Sequence, residues 1–88
     1  MTDGKRLSEI NVGECCRVRE IDVRSRVGKR LADLGAARGV QISCVGASPL
    51  GDPRAYLLLG SIFAIRNGDA AEVGVEREEV ARYDKGEK

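Results

Sequence analysis

The chain has 88 residues, 15 basic and 14 acidic, with no histidine and 42% hydrophobic residues. That length means one domain, burying roughly 60–65% of its unfolded surface, and the apolar share excludes bulk disorder. A net charge of +1 excludes a general nucleic-acid or membrane-surface binder, and no apolar stretch approaches the ~20 residues that span a bilayer.

Residues 1–6 read as a flexible polar leader, without a signal-peptide core, so a cytoplasmic protein is expected. Leu7-Ser8-Glu9-Ile10 suits one turn of helix, closed by Asn11-Val12-Gly13. Cys15 to Ile21 reads as a strand, with Cys16 and Val18 on one face and Arg17 and Arg19 on the other. A loop over residues 22–24 leads to Ser25, which suits the N-cap of a helix running to Leu34. Val27, Leu31 and Leu34 make its buried stripe. Gly28 weakens this helix by up to ~1 kcal/mol relative to alanine. Gly35 follows as the glycine that ends it, with Lys29 and Arg30 near its negative end.

After Gly39, two apolar runs of strand length, about 40–46 and 54–59, flank Ala47-Ser48-Pro49-Leu50-Gly51-Asp52-Pro53. Pro49 and Pro53 fix φ, and Gly51 can take positive φ, so this segment is a sharp turn and residues 40–60 are a hairpin. Asp52 is expected to bond within its own turn. Gly60-Ser61 turns into a strand over 62–65, Asn67-Gly68-Asp69 is a second turn, and Glu72–Val75 is a final short strand. The folded domain is expected over 7–76, with 77–88 a charged tail. Five short strands and one helix predict a mainly-β fold, a small antiparallel barrel closed to remove its edges and capped at one end by the helix.

Three cysteines cannot all be paired, and without histidine or a CxxC spacing the usual zinc sites are excluded. Cys16 and Cys44 read as small core residues. No serine has an evident activating partner. No glycine cluster precedes the helix to cradle a phosphate, and Glu76, Glu78 and Glu79 bunch on a surface run. The chain therefore reads as a binding module with no catalytic residue, no cofactor and no metal site. Arg17, Arg19, Arg24, Arg26, Lys29 and Arg30 form a local basic cluster, either a solvated face or one that meets an acidic surface or lipid headgroups.

In order and spacing, Leu7-Ser8-Glu9-Ile10, Gly13-Glu14, Arg30-Leu31-Ala32-Asp33-Leu34-Gly35 with Gly39, Pro49-Leu50-Gly51-Asp52-Pro53, Gly60 and Ala64-Ile65-Arg66 resemble the FeoA family, the ferrous iron transport protein A domains. The resemblance runs from about Leu7 to Val75. It implies an SH3-like β-barrel in the bacterial cytoplasm. It also implies an accessory role beside a membrane ferrous iron transporter that carries a GTP-binding domain. The same domain is similar to the C-terminal SH3-like domain of iron-dependent repressors, whose DNA-binding helix-turn-helix has no counterpart here. A metal-responsive domain and a nucleic-acid-binding small barrel are the alternative readings. Only Phe63, Tyr56 and Tyr83 are available to stack on bases.

The chain departs from the family in the strand after the turn. Arg54 stands where an apolar residue is usual, while Ala55, Leu57, Leu59 and Ile62 stand on the usually polar face. Either the register shifts by one residue, turning every side chain over, or Leu57, Leu59 and Ile62 form an exposed apolar patch. The turn fixes the register, so the patch is expected. Arg30, Leu57, Leu59 and Ile62 are the candidate partner-binding residues, for the transporter or for a weak homo-oligomer. Gly35, Gly39, Pro49, Gly51, Asp52, Pro53 and Gly60 are expected to serve the backbone.

Overall fold

Hairpins joined at tight turns build a single antiparallel sheet. In the computed structural model residues 4–82 are described, with side chains as far as residue 77. The order is β1 (Gly4–Arg6), a 3-10 turn (Leu7–Glu9), β2 (Glu14–Ile21), α1 (Arg26–Asp33), β3 (Gln41–Ala47), β4 (Arg54–Leu58), β5 (Ser61–Ile65), α2 (Asn67–Ala70) and β6 (Val73–Arg82). Strands are hydrogen-bonded in the order β1-β6-β2-β3-β4-β5. Bulges interrupt the β2–β6 and β3–β4 ladders, and such irregularities sharpen the twist and let a sheet curl. Curling gathers Cys16, Val18, Ile42, Cys44, Tyr56, Leu58, Ile65, Val73 and Val75 into one core, aliphatic apart from Tyr56 and the cysteines. Leu7 and Ile10 beside the 3-10 turn, Val27 and Leu31 of α1, and Ala70 of α2 complete it. Of the stripe expected on α1, Val27 and Leu31 lie over the core.

Several expectations are corrected. Residues 4–6 are not leader: β1 pairs with β6, Lys5 opposite Val75. Strand pairing there is a matter of backbone groups, which polar side chains do not prevent. The strand at the C-terminal end does not stop near Val75. It runs to Arg82, which pairs with Glu14 beyond an irregularity that sets residues 77–82 against residues 14–16 of β2. The tail expected over 77–88 is therefore strand as far as 82, and residues 83–88 lie outside the described residues. There are six strands, not five, among those described. Among the described residues no β1–β5 ladder joins the two end strands, so β1 and β5 both remain edges.

The 67–69 turn is a short helix, α2. The amide of Asn67, left without an intrahelical partner, donates to the Asp52 carboxylate at 2.9 Å. Asp52 thus bonds α2 through its side chain rather than its own turn. Leu34 is not in the core. The helix ends at Asp33, Leu34 is the C-cap and 39% exposed, and Ala36 beyond Gly35 is buried instead.

Ser25 caps α1 as predicted, its hydroxyl accepting from the Gly28 amide at 3.0 Å and donating to the Asp22 carbonyl. That loop packs so closely that a Cβ at position 28 would meet the Asp22 carbonyl oxygen. Gly28 is therefore required by close approach, and the helix-propensity cost is the lesser consideration.

Candidate functional site

The β4 pattern is set by which face reaches the core. Tyr56 and Leu58 are 1% and 2% exposed, so alternation turns Leu57 outward and the register is not shifted. Across the sheet, Leu57 stands opposite Ser43 of β3 on one side and Ile62 of β5 on the other. Ser43 in turn pairs with Cys15, whose sulfur lies 3.2 Å from the Ser43 hydroxyl. This row puts a half-buried leucine beside an isoleucine that is 64% exposed.

Leu59 was expected to extend β4. It lies instead in the turn between β4 and β5, at φ 51° beside Gly60 at φ 85°. Its side chain still belongs to the patch. It leans over Gly35, where an added Cβ would stand 3.0 Å from Leu59 Cδ1, and it is 60% exposed. Leu57 and Leu59 share a shallow groove of about 290 Å³ with Val40, Gln41 and Ser43.

Arg30 is not part of this patch. It projects from α1 into a different groove, of about 320 Å³, beside Ala64 and Arg66. Ala64 and Arg66 carry no local mark of a site in the sequence; only the position of Arg66 directly after β5 hints at it. The turn residues lie at the other end of the β3–β4 hairpin. The Gly51 amide donates to the Ser48 carbonyl at 2.8 Å, and the Ser48 amide to the Pro53 carbonyl at 3.0 Å. The Asn67 side-chain amide donates to the Gly51 carbonyl at 3.3 Å, which fastens Pro49-to-Pro53 to α2. Gly39 joins α1 to the sheet: its amide donates to the Val18 carbonyl, and its carbonyl accepts from Arg17. Gly35 and Gly60 hold the left-handed turns after α1 and after β4.

Arg54 is the residue the sequence placed least well. Its guanidinium donates to the carbonyls of Ile10 at 2.7 Å and Ser8 at 3.1 Å. It therefore satisfies the end of the 3-10 turn and ties that turn to the hairpin. The partners lie 44 and 46 residues away in sequence, so no local signal exposes them.

Nucleophilic chemistry has little to work with. Burial pushes the Cys44 thiol up, away from the thiolate form, and Cys15, Cys16 and Cys44 are all free and buried. Burial likewise pushes Tyr56 up to about 12, against the opposing influence of the nearby Arg54 guanidinium. Hydrogen bonds from the Arg24 amide and guanidinium hold the exposed Asp22 carboxyl below its ordinary range. Among the described residues, no three His, Cys, Asp or Glu side chains gather as a metal site, and no helix is long and apolar enough to cross a membrane. What the geometry offers is an apolar outer face and a basic groove.

A family model, the FeoA domain, matches residues 5–77. Over 71 residues the chain is 32% identical to the Fe(2+) transport protein A/Fe(2+) transporter FeoB fusion protein of Porphyromonas gingivalis. That alignment covers 81% of this chain and 8% of the fusion protein. The fold is similar to that of the FeoA-like protein of Clostridium acetobutylicum, with TM-score 0.80 at 30% identity over 97% of this chain and 99% of that one. It is also similar to Stenotrophomonas maltophilia FeoA complexed with zinc, described as a prokaryotic SH3 domain protein. There the TM-score is 0.72 at 25% identity, over 86% of this chain and 98% of the other. The mainly-β architecture is thus shared with both solved structures, one of which is described as an SH3 domain protein.

Proposed function

The chain belongs to the FeoA domain family, and from that premise we propose that it is a non-enzymatic accessory protein of ferrous iron uptake. It acts in the cytoplasm, by contact with the cytosolic part of the membrane ferrous iron transporter. One observation carries the reading: in the Porphyromonas gingivalis relative a segment similar to this chain belongs to a fusion with the transporter. Two functions joined in one polypeptide work side by side, and a FeoA domain carried apart from the transporter would reach it by binding it.

The face that suits this contact carries Leu57, Leu59 and Ile62. Covering three such side chains contributes roughly 3–5 kcal/mol at ~25 cal/mol per Å². Association costs about 4–15 kcal/mol in lost freedom, so the patch supports a weak, regulated contact rather than a permanent one.

The test is capture of the purified, detergent-solubilised ferrous iron transporter by the tagged chain. The parent protein should capture it. Leu57→Glu with Ile62→Glu should keep the parent circular dichroism and capture at least about tenfold less. Failure of the parent chain to capture overturns the function. Equal capture by the folded variant overturns the face, and so does unfolding of the variant, since it would make Leu57 a core residue. Sedimentation of the same two proteins distinguishes a second copy of this chain as the occupant: a dimer lost in the variant assigns the patch to self-association.

A further inference from the structure

β4 occupies one side of β5, and among the described residues no strand pairs with the other. The two-residue turn at Leu59-Gly60 decides which backbone groups are left over. It makes Leu58 and Ser61 a pair that exchanges both hydrogen bonds. Antiparallel alternation gives the same role to Tyr56 with Phe63 and to Arg54 with Ile65. The amide and carbonyl groups of Ile62 and Ala64 therefore point away from the sheet, and both residues are exposed. Two donors and two acceptors stand in a row on an open edge, which is the template for an added strand.

The groove beside this edge gives the added strand its chemistry. Ala64 and Arg66 form one wall; Arg26, Val27 and Arg30 of α1 form the other, and Asp69 also borders it. Three guanidinium groups thus meet one carboxylate. Asp69 stands 4.0 Å from Arg26, and Arg30 and Arg66 have no ion pair among the described residues. Lys29, on the same helix, is answered by Asp33 at 3.7 Å. In a chain with net charge +1 this excess is local.

We infer that the β5 edge takes an extended acidic segment of a partner protein. The segment adds a strand through the backbone of Ile62 and Ala64 and sets its carboxylates against Arg26, Arg30 and Arg66. A second copy of this chain fits poorly, because edge-to-edge pairing brings the same arginines together. A nucleic-acid backbone matches the charge but leaves the row of amides and carbonyls unused. The inference goes beyond the transporter reading and stands whichever protein carries the segment.

The test is a titration of the isotope-labelled chain, followed by amide chemical shifts, with a short capped peptide alternating glutamate and valine. The lysine–valine counterpart is the control. Shifts should centre on Ile62 and Ala64, saturate with the glutamate peptide and be absent with the lysine peptide. Ala64→Pro deletes an outward amide that bonds nothing within the sheet, and proline is tolerated at such edge positions. It should keep the fold and weaken binding at least about tenfold. Arg30→Glu with Arg66→Glu should abolish binding. The inference is overturned if the glutamate peptide does not bind at millimolar concentration, if the shifts map elsewhere, or if folded Ala64→Pro binds like the parent. It is equally overturned if a DNA oligomer of matched charge gives the same shifts at equal affinity. Should Ala64→Pro not fold, a glutamate–valine peptide with alternate amides methylated gives the same reading from the partner's side: unchanged affinity in both methylation registers overturns strand addition.

Discussion

Gly51 sits at φ 85°, and a Cβ there would meet nothing within 4 Å. Any cost of a side chain at this position is therefore backbone strain and not a clash. Gly51→Val should lose roughly 1–3 kcal/mol in chemical denaturation. Pro49→Ala should lose less, since it only loosens the unfolded chain. Equal stability of Gly51→Val and the parent protein would contradict the left-handed turn. Tyr56 allows a different measurement. Its hydroxyl is buried in the core, and the folded protein holds its pKa at about 12, above the ordinary value of 10.0. At alkaline pH the unfolded chain gives up this proton first. Stability should be flat through neutral pH, fall as pH rises past about 10, and level off above about 12. Tyr56→Phe should reduce that fall, leaving the share that the raised Cys44 thiol contributes, and change stability at neutral pH by less than about 1 kcal/mol. A parent protein whose midpoint is unchanged between those limits would contradict the burial of the hydroxyl.

Arg54 acts between elements. The alternation of β4 makes its position an inner-face one, where an apolar side chain looks better suited. Arg54→Leu restores that pattern and deletes the hydrogen bonds to Ser8 and Ile10. Bonds from a charged donor to carbonyls at a turn end are worth about 1.5–3 kcal/mol, more than a half-buried leucine regains there. The variant should therefore unfold at lower denaturant, with faster amide exchange around residues 7–10 than in the rest of the sheet. A more stable Arg54→Leu would make the arginine a surface accident. The outer row from Ser43 through Leu57 to Ile62 is also an element-scale property, since β4 alone does not say which of its neighbours carries an apolar residue.

The whole molecule holds together through one largely aliphatic core under a curled sheet, with all three cysteines free. Chelator and reductant added together should leave the thermal midpoint within about 2 °C of the untreated protein; a shift of 1 kcal/mol corresponds to about 4–8 °C in a domain of this size. A fall of many degrees would mean that a metal or a disulfide sustains the fold. The molecule also keeps an asymmetry between its two sheet ends. Each end strand has a single ladder partner among the described residues, but the β1 edge leads into the 3-10 turn while the β5 edge stands beside three arginines.

Much of this was legible in the chain. The Ser25 cap, the glycine that ends α1, the turn from Pro49 to Pro53, the strands and the outward direction of Leu57 all depend on residues a few positions apart. Capping atoms, φ restrictions and side-chain alternation act over that range, so sequence alone determined them. The pairing of β1, the length of β6 and the open edge at β5 were decided only by tertiary structure. A ladder joins backbone groups, which every residue carries, and leaves little mark on side-chain choice. The same holds for Asp52 at the start of α2, Arg54 on the 3-10 turn, and Arg26 with Arg66 across one groove. Each of these partners is adjacent only once the sheet has curled, and no spacing along the chain encodes that closeness.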